Sequence, residues 1–208
     1  MRNAFAAYES MGQWQPDRVE DVLAAHGVMM ATLVDDAGQW RRAGVGVVAD
    51  DKVIRMAPPA SQVPRLMEQL LHWLASTEAH PLIASAAFHY EFEFIHPFSD
   101  GNGRSGRLWQ SLILSRWQPV LAYLPVETVI KRRQQAYYDE LATAHARADC
   151  SGFSEFILTA IKESLHEAIR PGRGHETPGK MPGKTPGKTP ERILALLAET
   201  PAIAMPSS

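Results

Sequence analysis

Cysteine is nearly missing from this sequence. Cys150 stands alone, which excludes an internal disulfide and any metal site built from several cysteines. An excess of one charge is missing too. The formal net charge is -2, so no global basic field argues for nucleic acid, and no block of like charges reads as a binding arm. Long apolar runs are also missing. None approaches the roughly 18–20 residues that span a bilayer, and the N-terminus lacks the basic-then-apolar pattern of a signal peptide. A soluble, cytoplasmic protein is expected, with no membrane partner and no nucleic-acid partner. No G-x-x-x-x-G-K-[ST] phosphate loop occurs. What is present is an ordinary globular composition: 208 residues, 45% of them apolar, enough for one packed domain and a tail.

Helical spacing dominates. Ala4, Phe5, Tyr8 and Met11 predict a first helix, broken at Gly12; Val19, Val22, Leu23, Val28, Met29 and Leu33 predict a second. The pattern begins abruptly inside a helix, which suggests that something upstream is missing. Glycines 38, 44 and 46 flank short β-branched runs around Asp50-Asp51, predicting a hairpin with a turn near 49–52 that Pro58-Pro59 ends. Val63, Leu66, Met67, Leu70, Leu71 and Leu74 form a strong helical stripe. Residues 82–95 fit both periods: Phe88, Phe92 and Ile95 read as helix, while Phe88, Tyr90, Phe92 and Phe94 alternate as a strand would; length favours helix. Leu108, Leu112 and Ile113 open another helix, and two or three more follow up to Leu165. Residues 170–189 repeat Pro-Gly-Lys every four residues and predict a flexible linker. Residues 190–208 start a new amphipathic helix. The expected architecture is all-α, a helical bundle over 1–169 with one β-hairpin.

Between the ambiguous helix and the next lies the stretch His96-Pro-Phe-Ser-Asp-Gly-Asn-Gly-Arg-Ser-Gly-Arg107. Its glycines let a backbone approach a ligand closely. Backbone N–H groups at a helix start favour an anion. Arg104 and Arg107 share one helix face and suit phosphate oxygens. Asp100 is a hard oxygen ligand, suited to Mg²⁺ beside phosphates, and His96 can take a proton near neutral pH. Each piece alone has a plain structural explanation as a cap, a turn or a solvated arginine. Their compression into twelve residues argues for a polyphosphate site with a base beside it. The same glycines, Gly101-x-Gly103-x-x-Gly106, also satisfy the dinucleotide fingerprint, with Glu127 at a tempting distance downstream. That fingerprint needs a buried strand before it and a β-α-β unit around it, and neither is predicted.

The stretch from His96 to Arg107 resembles the Fic signature, H-x-F-x-[D/E]-G-N-G-R-x-x-R, at every defined position. Ile95, the Ala86-Ala87-Phe88-His89 helix, the hairpin before Pro58-Pro59 and the Tyr137-Tyr138 helix look like further parts of a Fic domain, covering roughly 1–169. The linker and last helix look like the arrangement in which such a domain precedes a winged helix, here only begun. The resemblance implies a protein adenylyltransferase with ATP as co-substrate and Mg²⁺ as cofactor. His96 would be the general base toward a Ser, Thr or Tyr hydroxyl, and Phe98 an anchor in the core. Asp100 would hold Mg²⁺. Gly101, Asn102 and Gly103 would form an anion hole, and Arg104, Ser105, Gly106 and Arg107 would complete the phosphate site, with Arg107 on the γ-phosphate. Tyr137 or Tyr138 would flank the adenine, or simply pack between helices. The hairpin at about 40–56 would be a flap that docks the protein substrate by strand addition; self-modification and a homodimer are further implications.

Many Fic proteins restrain themselves with a helix bearing [S/T]-x-x-x-E-[G/N]. Only Ser151…Glu155 and Thr159…Glu163 match its first five positions, and Phe156 and Ser164 follow them in place of Gly or Asn. The restraining element is therefore absent, upstream or on a partner protein, and the upstream position is the one expected. Two other readings stay open: the same fold with AMP removal or transfer of another phospho-group, and a regulator that binds nucleotide without turnover.

Overall fold

Two apolar clusters divided by one pair of helices organise the chain. In this computed structural model residues 2–49 and 52–169 are described, with 47–49 and 52–55 described by backbone alone. Helices α1 (Arg2–Ser10) and α2 (Val19–Met30) follow the two N-terminal patterns. Strands β1 (Gly46–Ala49) and β2 (Lys52–Met56) come next, then α3 (Val63–Ser76), α4 (Pro81–Ile95) and α5 (Asn102–Trp117). Helices α6 (Val126–Arg132), α7 (Gln134–Arg147) and α8 (Ser151–Ile169) complete a mainly helical molecule. Among the described residues no helix is long and apolar enough to cross a membrane. The predicted turn at Asp50-Asp51, the linker and the terminal amphipathic segment lie outside the described residues.

The first cluster gathers Ala7, Val22, Met29, Met67, Leu70, Phe88, Phe92, Leu108 and Trp109 from α1, α2, α3 and one side of α4 and α5, with Phe98 from the loop between the last two. The second gathers Ala86, Leu114, Val129, Tyr137, Leu141, Phe153, Ile157 and Ile161 from the other side and from α6 to α8. Helix α4 is thus buried on both sides, which is why its sequence satisfied helical and alternating patterns together. Pro81 at its first turn costs no hydrogen bond, and the His80 ring accepts the Leu82 N–H as a cap. Burying each large side chain of these clusters contributes about 2–3 kcal/mol. The strands pair antiparallel, Gly46 opposite Met56 and Ala49 opposite Lys52, with an irregularity between Val47 and Val48.

Candidate active site

The stretch singled out from the sequence is the link between the two central helices. Helix α4 stops at Ile95 because a proline follows one residue on. His96 takes the left-handed conformation at the helix end, φ 52° and ψ 61°, with its N–H on the Phe92 carbonyl. That conformation costs a non-glycine residue about 1–2 kcal/mol and persists only where packing over-determines it. Phe98 supplies much of that packing: it is fully buried, between Phe92, Trp40 and the ring of His26. Asn102, the first residue of α5, spends both ends of its amide on the loop. Its Oδ1 accepts from the Phe98 N–H at 2.8 Å and its Nδ2 donates to the Phe98 carbonyl at 2.9 Å. The Asn102 side chain therefore braces the loop, and only its backbone N–H is left to face an anion.

A segment that sequence reasoning passed over grips this loop from outside. His26 on α2 is buried and lies flat on Phe98, 3.6 Å between centroids. Its Nδ1 accepts from the Gly38 N–H, so Nε2 carries the proton and donates to the Asp100 carbonyl at 3.0 Å. Burial pushes the His26 pKa down, in keeping with a neutral ring. The Ser99 hydroxyl donates to Asp36. Arg41, 3% exposed, donates from its guanidinium to the carbonyls of Ile95, His96, Ala43 and Pro58, and from its backbone to Pro97. Nothing in the spacing of Trp40-Arg41-Arg42 distinguishes Arg41 from Arg42; the acceptors are main-chain atoms of distant segments.

Gly101 has φ +81°, and a Cβ there would meet Met30 at 2.6 Å, so glycine is required. It caps α5, whose N–H groups at Asn102, Gly103 and Arg104 have no intrahelical acceptor. The Asp100 carboxylate stands at the loop mouth, 64% exposed, with Arg104 3.4 Å away and its own Oδ1 on the Gly101 N–H. Ser105 is buried in the second half of the first turn. Gly106 lets α5 lie against α4: a Cβ would sit 3.2 Å from Glu93 and from His89. So the glycines that mimic a dinucleotide fingerprint serve a helix–loop–helix.

Arg107, 24% exposed, lies behind the first turn, where its Nη1 would be 3.1 Å from a Cβ on Gly103. Its Nε donates to Glu127 of α6 at 3.4 Å, and the Tyr8 hydroxyl donates to the same Glu127 oxygen at 3.0 Å. Burial opposes the Arg107 charge, and Tyr137 together with the Glu127 and Glu93 carboxylates more than offsets it, holding its pKa above the usual value. Burial first, then Glu127, push the Tyr8 phenol up, which keeps it a neutral donor. Glu155 and Glu163, the two glutamates that partly matched the restraining motif, lie on α8, and Glu163 pairs with Arg133. Among the described residues the carboxylate that pairs directly with Arg107 is Glu127.

His96 is 20% exposed, with Nδ1 toward Glu93 (3.4 Å to its carbonyl, 3.9 Å to its carboxylate). Nε2 is the ring nitrogen remote from Glu93. The buried Glu93 carboxylate also lies 3.9 Å from His89. His89 donates from Nδ1 to Gln110 and accepts from the Tyr137 hydroxyl at 3.0 Å. Burial, helped by Arg107, pushes its pKa down to about 3. Tyr137 is 4% exposed and packs among Phe153, Phe156 and Tyr138, in the role of core residue; Tyr138 is half-buried. Among the described residues no three His, Cys, Asp or Glu side chains cluster as a metal cage. One exposed carboxylate beside a helix N-terminus suits Mg²⁺ that arrives with phosphates, since Mg²⁺ takes one or two carboxylates and fills its shell from phosphate and water.

Comparison with known proteins places the chain beside a family of this fold. The model of the Fic/DOC family matches residues 16–114. Protein adenylyltransferase Fic of Aedes aegypti is 32% identical over 151 residues, which is 71% of this chain and 28% of that protein. The protein of the same name in Drosophila grimshawi is 30% identical over 71% of this chain and 29% of its own length. The chain thus spans less than a third of these curated relatives. Among solved structures, a Fic family protein from Desulfovibrio desulfuricans superposes with a TM-score of 0.79 at 48% identity, over 93% of this chain and 62% of that one. Fic-1 from C. elegans shares the fold at a TM-score of 0.63 and 22% identity, over 79% of this chain and 48% of that one.

Proposed function

From a chain that carries a domain of the Fic/DOC family, we propose a protein adenylyltransferase that moves AMP from Mg-ATP to a Ser, Thr or Tyr hydroxyl of a protein, itself included. The observation that carries this reading is the His96–Arg107 link: a partly exposed histidine at the end of one helix, the bare N-terminus of the next, and an arginine behind it. The first-turn N–H groups of Gly103 and Arg104, with the backbone at Gly101 and Asn102, receive the phosphates. Arg104 supports them from the loop mouth, Ser105 and Gly106 keep the turn close to α4, and Arg107 pairs with the γ-phosphate. Asp100 holds Mg²⁺, which when bound neutralises charge on the phosphates. His96 takes the hydroxyl proton at Nε2; the oxygen bonds the α-phosphorus as its bond to the bridging oxygen breaks, and pyrophosphate leaves with the electron pair. The chain's share of catalysis is positioning and electrostatics. Glu93 lies on the Nδ1 side of the ring, away from this step.

The strand pair is assigned as the flap, holding an extended target segment by strand addition. Of the two tyrosines, Tyr138 has the exposed surface that an adenine contact needs. The test is to incubate the purified chain with Mg²⁺ and ATP labelled at the α- or the γ-phosphate, beside His96→Ala. Label from α-ATP alone, absent with His96→Ala, is the expected result. Label from γ-ATP would instead mark phosphate transfer, and binding with no label in any arm would mark a nucleotide-binding regulator.

A further inference from the structure

Arg41 is the buried charge that the reaction does not use. Its four guanidinium bonds go to carbonyls of three separate segments: His96 at 2.7 Å and Ile95 at 3.3 Å at the end of α4, Ala43 at 2.9 Å before β1, and Pro58 at 2.6 Å after β2. Its own N–H reaches Pro97 at 3.0 Å. Among the described residues no carboxylate pairs with it. A buried charge without a counter-ion is costly, and here the compensation is the negative end of the α4 dipole and a planar fork of donors that fits carbonyls on both sides. Ala43 and Pro58 bracket the strand pair just outside the Ala57 N–H to Val45 carbonyl bond that closes its base. The same side chain therefore holds both feet of the strand pair and the backbone of His96.

We propose that Arg41 is a positioning residue that couples the base of the β1–β2 segment to the left-handed His96, so that the register of the strands and the pose of the imidazole are set together. A lysine cannot do this: its ammonium is a point donor and cannot span acceptors on opposite sides. The effect on catalysis rests on the adenylyl-transfer reading, whereas the mechanical coupling does not, and the two are tested separately.

The experiment compares Arg41→Gln and Arg41→Lys with the parent chain by amide hydrogen exchange, Mg-ATP calorimetry and α-label transfer. In Arg41→Gln, exchange at the Ala57 and His96 amides accelerates together, while Ala160 and Ile161 in α8 stay as they were. Label transfer at saturating Mg-ATP falls about 100-fold, as expected of a small misplacement of reacting groups, with the Mg-ATP Kd within about three-fold. Arg41→Lys keeps the charge and falls between, and it decides the matter if Arg41→Gln fails to fold. Faster exchange at only one of the two amides, or no change at either, overturns the coupling. A Kd that weakens in step with the rate overturns the positioning role. A parent chain that binds Mg-ATP but transfers no label refutes the adenylyl-transfer reading and leaves the exchange arm to judge Arg41.

Discussion

The two ends of the His96–Arg107 link are held in different ways. The His96 end is fixed through main-chain atoms: Arg41 on the carbonyls of Ile95 and His96, His26 on that of Asp100, Asn102 on both sides of Phe98. These braces come mostly from the chain before the link, on the side of the first cluster. The Arg107 end is surrounded by side chains with charge or a titratable proton: Glu127, Tyr8, Glu93, and Tyr137 with His89 beyond. Glu127 and Tyr137 come from the chain after the link, and Tyr8, His89 and Glu93 from the chain before it. Backbone bonds fix a conformation and are indifferent to the ligand. Side-chain charges on an arginine compete with any anion that would use it. Under the proposed function, rigidity falls at the end assigned the chemistry and exchangeable partners at the end assigned the binding.

A large effect that could break this contrast is at His26. His26→Ala removes the ring stacked on Phe98 together with the bond to Asp100, and should cost about 3 kcal/mol in a urea unfolding titration. A loss under about 1 kcal/mol would show the loop holding itself, without the preceding segment.

Acid sharpens the contrast from the other side. The buried His89 stays neutral down to about pH 3, against an ordinary 6.5. Below about 6.5 the unfolded chain takes up a proton there that the folded chain refuses. Stability from this group is complete above 6.5 and declines by up to about 1.4 kcal/mol per pH unit as pH falls toward 3. Unfolding free energy measured from pH 7 to pH 4 should show this slope, and His89→Gln should flatten it by about one proton. An unchanged slope would place the acid sensitivity elsewhere, His26 being the next group with a lowered pKa.

The smallest effect concerns Glu127. Its carboxylate is half exposed and 3.4 Å from Arg107, so the pair is worth at most about 1 kcal/mol. Glu127→Gln should tighten Mg-ATP by no more than about five-fold, and the gain should shrink at high salt. Weaker binding in this variant would mean that Glu127 holds Arg107 in place for the nucleotide.

What could be read from the sequence followed the same division. The twelve residues from His96 to Arg107 are consecutive, so their pattern was visible without a fold, as were the helical stripes. The two-sided burial of α4 was legible as an ambiguity between periods, and length resolved it. Arg41 and His26 were invisible, because their acceptors are carbonyls of other segments and a carbonyl leaves no mark on a sequence. Glu127 was noticed for the wrong reason, as the acid of a dinucleotide fingerprint, and the fold carries it to Arg107 instead. Tyr137 and Tyr138 could not be told apart by spacing; the fold buries the first on His89 and leaves the second partly exposed.

The contrast between the two ends is tested most directly by calorimetric titration of Mg-ATP into the parent chain, His96→Ala and Arg107→Ala. The account predicts that His96→Ala binds as the parent does, while Arg107→Ala binds at least about ten-fold more weakly, the loss of a charge-assisted pair. Equal binding by the parent and Arg107→Ala, or a binding loss confined to His96→Ala, would contradict it.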